Sequence, residues 1–176
     1  DPAGDKEMKL VPDQGSQYEF QNCGRYIWTL IKRGAKYGVR VWDTLNENRF
    51  KYVELPYYEI SENWRVKASL QKFAEPRQKE VTNVLGMKVM QKVFGKLVFR
   101  LAGKQFSLDA YDGGEDQYFM IFSDLTTGGD TYGGGRYLYS SRENEDNEVL
   151  LDFNKAYTPP CGFTSHATCL LPDRDN

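Results

Sequence analysis

Residues 95–122 read GKLVFRLAGKQFSLDAYDGGEDQYFMIF, and this stretch decides the fold class. Leu97, Phe99 and Leu101 alternate with polar or smaller neighbours, Ala102-Gly103-Lys104 turns the chain, and Phe106, Leu108 and Ala110 alternate again. A period of two on both sides of a short glycine-containing turn predicts a β-hairpin. The DGGED segment predicts a further turn, and Tyr118–Phe122 is apolar at every position, the pattern of a strand buried on both faces. Three consecutive strands in a meander follow.

The same signals recur upstream. Tyr26, Trp28 and Leu30, then Tyr37, Val39 and Val41, alternate around KRGAK and predict another hairpin. Pro56 interrupts FKYVELPYY (50–58), which fits an edge strand or an extended crossing. Trp64, Val66, Ala68 and Leu70 alternate as a half-buried strand, and Pro76 is expected to end it in a turn. Lys79–Phe94 fits two short strands or one weak helix, with strands favoured. Ser140–Glu148 reads as a solvated polar loop, Val149–Phe153 as the last strand, and the chain from Tyr157 onward as irregular. About ten short strands without an amphipathic helix predict an all-β, largely antiparallel sandwich or partly open barrel.

Length and composition agree. A chain of 176 residues fits one domain, expected over residues 18–176 behind an irregular tail at 1–17. The 12 tyrosines and 10 phenylalanines favour strands. With 23 basic and 25 acidic side chains, no broad field recruits nucleic acid. No apolar run approaches the ~20 residues a helix needs to cross a bilayer, so no transmembrane segment is expected. No signal peptide is recognisable, and the first residue is Asp rather than Met.

The richest motif is FSDLTTGGDTYGGGRYLY (122–139), whose glycines permit close backbone approach to a partner. It lacks the spacing of a phosphate loop, and no helix pattern follows it. One reading is a hairpin loop packed by Tyr132 and Tyr137. The other is a ligand-contacting loop, in which Arg136 offers a planar fork to a carboxylate or phosphate between aromatic rings. The candidate ligand-binding set is Asp124, Tyr132, Arg136, Tyr137, Asp152 and Asn154, facing a small polar or anionic ligand. An ion pair from Arg136 to Asp124, Asp130 or Asp152 is the competing use. Those aspartates also offer carboxylates for acid/base work, the basis of a hydrolase alternative, although no calcium-loop spacing is present. A purely structural interaction module is the third reading.

Cys161, His166 and Cys169 share the irregular segment. A Cys161–Cys169 disulfide is the simplest reading, with Cys23 left free; free thiols, or zinc held by these three residues and a water, remain alternatives. A Cys161/His166 nucleophile pair is weaker, because sequence proximity does not supply its geometry. No cofactor is expected, and no metal site is assigned.

The order FSDLTTGGDTYGGGRYL, LDFNKAYTPPC and LLPDRDN resembles the bacterial and archaeal family catalogued as domain of unknown function 1684, as does the earlier YGVRVWDTLNENRFKYVELPYYEISENWRVKASL. The resemblance extends from about Cys23 onward. It implies an extracytoplasmic setting, exported or lipid-anchored, in which a disulfide persists, and it implies no catalytic role for any residue.

Overall fold

A computed structural model describes residues 9–13, 19–33, 36–51, 54–174 and 176, which fall into two compact units, 1–56 and 57–176. Most of the expected N-terminal tail, the tip of the first hairpin at 34–35 and positions 52–53 lie outside the described residues.

The first unit is a three-stranded antiparallel sheet of β1 (Gln21–Cys23), β2 (Tyr26–Arg33) and β3 (Lys36–Asp43) in that order. The expected hairpin is β2–β3, registered from Tyr26↔Asp43 to Arg33↔Lys36. Arg25 pairs with Asp43 at its open end. Thr29 is the one buried residue among those described in this unit, and its hydroxyl donates to Glu19 O (2.8 Å).

The second unit contains β4 (Arg65–Thr82), β5 (Lys88–Leu101), β6 (Lys104–Asp112), β7 (Gln117–Phe122), β8 (Arg136–Ser141) and β9 (Glu148–Asp152). They form one antiparallel sheet in the order β8-β7-β6-β5-β4-β9. The outermost strands, β8 and β9, also come together in space, so the sheet curls into a nearly closed barrel. The all-β expectation holds, and the barrel is its correct form. Residues 54–60 form no strand, and among the described residues no helix is long and apolar enough to cross a membrane.

Burial follows the pleat. Ala68, Leu70, Leu97, Phe99, Leu108, Met120, Leu138 and Leu151 fill the interior, while Val81, Val93, Tyr111, Phe119, Ile121, Tyr137 and Cys169 form a second cluster. β7 contributes to both clusters, Tyr118, Met120 and Phe122 to one and Phe119 and Ile121 to the other, as expected of a strand apolar at every position. The C-terminal segment completes the second cluster through Cys161, Ala167, Cys169 and Leu170.

Two expectations need correction. Pro76 does not end a strand, because β4 runs through it to Thr82. The register jumps from Lys72↔Gly95 to Arg77↔Val93, leaving residues 73–76 in an irregularity where Pro76 has no ladder bond to lose. The Ser140–Glu148 segment is not simply solvated: Ser140 is buried within β8, and Glu143 is 15% exposed and bonded to Lys72 and Tyr118.

Candidate functional site at one barrel mouth

Strand register brings most of the sequence-predicted residues to one end of the barrel. β7 ends at Phe122 opposite Arg136, where β8 begins, and β9 ends at Asp152 opposite Arg65, where β4 begins. Asp124 follows Phe122, and Asn154 lies in the 3-10 turn Phe153–Lys155 after β9. The glycine-rich loop 123–135 connects β7 to β8 at this mouth.

Arg136 Nη2 donates to Asp124 Oδ2, closing the loop at its base. The guanidinium also lies 5.3 Å from the centroid of the Phe122 ring, and the side chain is only 16% exposed. Its Nε is buried and has no hydrogen-bond partner. The other Asp124 oxygen accepts from Thr126 N–H (2.9 Å) and the Thr126 hydroxyl (2.5 Å). Burial pushes the Asp124 carboxyl upward, but Thr126 and the Arg136 charge outweigh it and hold it below the usual carboxylate range. Inside the loop the Thr126 and Thr131 hydroxyls are 3.0 Å apart, and Asp130 is exposed.

Gly135 has φ +82°, and a Cβ there would meet Phe122 O and the ring of Pro172. That residue turns the chain into β8 where no side chain fits. Half-buried Tyr132 lays its ring against Gly134 and Gly162, so the glycine-rich loop meets the C-terminal segment at this tyrosine.

The other three candidates are bonded within the fold. The buried Tyr137 hydroxyl donates to Leu170 O (2.8 Å), and its backbone exchanges two 2.9 Å hydrogen bonds with Tyr157. Burial pushes its phenol well above the usual range. Asn154 clamps the Ser61 backbone, accepting from its N–H (3.1 Å) and donating to its carbonyl (3.0 Å). Asp152 accepts from Asn154 N–H (3.2 Å) and Nδ2 (2.8 Å), with Arg65 Nε 3.6 Å away. Arg136 and Asp124 sit at the base of the glycine-rich loop and Tyr132 lies within it.

Cys161 and Cys169 are both thiols here, each receiving the other's backbone N–H at sulfur (3.2 and 3.1 Å). His166 is exposed, and among the described residues no three His, Cys, Asp or Glu side chains converge as metal ligands.

Two charged clusters escaped the sequence reading. Lys79 Nζ lies 2.5 Å from Asp109 Oδ2 and 2.6 Å from Asp173 Oδ2, with Lys96 3.6 Å from Asp109 Oδ1. Burial opposes the Lys79 charge, but the two carboxylates outweigh it and raise the ammonium's pKa. At the other end of the barrel, Tyr118 OH donates to Glu143 (2.5 Å) and Arg142 stacks 4.2 Å over Phe94 and 4.3 Å over Tyr118. The only local signal for the first cluster was an aspartate inside the apolar run FSLDAY.

The family model described as "Protein of unknown function (DUF1684)" matches residues 50–176, which include the whole second unit. The Cys23–Arg49 part of the expected resemblance lies outside that match. An uncharacterized protein of Haloarcula marismortui, known from a solution NMR structure, is similar at 28% identity and a TM-score of 0.59, with 74% of each chain covered. No curated protein matches the chain.

Proposed function

The chain belongs to the DUF1684 family of proteins of unknown function, and from that premise we propose that its barrel binds a small polar or anionic ligand at the mouth formed by Arg136, Asp124 and Tyr132. The observation that carries the reading is Arg136 Nε, buried without an acceptor in a guanidinium otherwise held by Asp124 and Phe122. Leaving such a donor unpaired costs about 1–3 kcal/mol, and a carboxylate or phosphate oxygen would recover it. A bidentate anion would take Nε and Nη2 together, displacing Asp124 from the fork. Phe122 supplies an aromatic face to the same guanidinium.

The hydrolase alternative has less support. A general base works best with a pKa near the operating pH, and Asp124 is shifted the other way. The structural reading is favoured by the Arg136–Asp124 pair and by the bonds within the fold that occupy Tyr137, Asp152 and Asn154. The ligand-binding reading also includes an extracytoplasmic location and a Cys161–Cys169 disulfide in oxidised protein.

Arg136→Lys keeps the charge and removes the fork. Thermal melts and isothermal titration with inorganic phosphate and citrate on wild type and variant separate the two readings. Ligand binding expects binding to wild type and loss in the variant, with little change in melting. A large stability loss with no wild-type binding favours the structural role.

A further inference from the structure

The two C-terminal cysteines join a segment hydrogen-bonded to the end of β4 to one whose backbone bonds are local. Cys169 O accepts from Val84 N–H (2.9 Å), Leu170 bridges Asn83, and Leu171 N–H donates to Thr82 O (2.8 Å), so this stretch is tied to the end of β4. Cys161 instead sits in the 3-10 turn Pro160–Gly162, whose backbone bonds are local: Gly162 N–H to Pro159 O and Phe163 N–H to Pro160 O, both 2.9 Å. The reciprocal N–H contacts to sulfur place the two thiols side by side. Bond closure therefore asks for little backbone movement. Gly162, next to Cys161, packs against Tyr132.

We propose that Cys161 and Cys169 are a reversible dithiol–disulfide couple that locks the Pro160–Gly162 turn to the barrel and so fixes Tyr132 at the mouth. The consequence for ligand binding rests on the Arg136 reading; the couple itself does not. The oxidant is a low-molecular-weight disulfide. Cys161, the more exposed of the two, loses its proton and attacks one sulfur, forming a mixed disulfide and releasing one thiolate. Cys169 then loses its proton and attacks the Cys161 sulfur, forming the intramolecular bond and expelling the second thiolate. The two released thiolates take up the two protons, and two electrons pass from the cysteine pair to the external disulfide. Burial and the adjacent Cys161 push the Cys169 thiol up to about 11, so little of it is thiolate near neutral pH and the second step is the slow one.

The test uses the full chain carrying Cys23→Ser, since exposed Cys23 lies outside the pair. The protein is equilibrated across reduced-to-oxidised glutathione ratios, quenched by alkylation and peptide-mapped, and the end states are compared by hydrogen exchange. A single two-electron transition to a linked Cys161–Cys169 peptide is expected, with amides at 131–135 exchanging on the order of tenfold more slowly in the oxidised form. No linked peptide in oxidised glutathione, or a linked peptide with unchanged exchange at 131–135, overturns the proposal. Neither readout uses an anion, so failure of phosphate binding at Arg136 is a separate result.

Discussion

Arg136 donates to the Asp124 carboxylate twelve positions earlier in the chain, so one ion pair closes the glycine-rich loop and also occupies part of the fork offered to a ligand. Asp124 has a lowered pKa in the folded protein, with burial opposed by Thr126 and Arg136. Its contribution to stability is present above the unfolded-state pKa of about 3.9 and is lost as pH falls through the lower folded value. Asp124→Asn should cost about 0.5–1 kcal/mol at pH 7, after solvent screening. The cost should shrink below about pH 4, as read from urea midpoints; an equal cost at all pH values would count against the pair.

Glu143 gives a second acid-limb prediction. Burial would raise its carboxyl, but Lys72 and the Tyr118 hydroxyl outweigh that and hold it down to about 2. Stability from this group is complete above the unfolded value of about 4.3 and disappears as pH falls toward the folded one. Glu143→Gln should therefore lower stability by about 1–2 kcal/mol at pH 7 and converge with wild type in strong acid, followed by circular dichroism during acid titration.

Gly95 tests the strand irregularity. A Cβ at this position would fall on the Gln71 carbonyl of β4, beside the register shift. Gly95→Ala should destabilise by about 2–4 kcal/mol. An unchanged melting temperature would mean that the two strands are not packed as described.

That same region shows where the sequence was and was not legible. The alternation of 97–110 and the wholly apolar 118–122 predicted β5, β6 and β7, because each strand's burial is written in its own residues. Pro76 was misread because the features that accommodate it, Phe94 and Gly95 on β5, lie 18 and 19 residues away and carry no turn signal. At the site, the glycine loop and Arg136 stood out locally. The uses of Tyr137 and Asn154 did not, since their partners Leu170 and Ser61 are 33 and 93 residues distant. Asp109 is outward-facing by pleat yet buried, with Lys79 at its carboxylate and Asn176, from the chain's other end, at its backbone N–H.

Asn154 makes the long-range clamp measurable. Its side chain satisfies both backbone groups of Ser61. Asn154→Ala should cost about 1–3 kcal/mol, the range for leaving such groups unpaired. Hydrogen exchange should show faster exchange at residues 61–64, while 117–122 stay protected. Uniform loosening of both segments would contradict a local clamp.

The ligand-binding proposal is tested most directly by following the Arg136 Nε–H resonance by NMR while inorganic phosphate and citrate are titrated into the wild-type protein. Occupation of the orphaned donor predicts a saturable downfield shift at Nε, with a matching change in the Thr126 amide as Asp124 is displaced. An Nε–H signal that stays fixed through saturating concentrations of both anions would contradict the account and leave Arg136 as the partner of Asp124 alone.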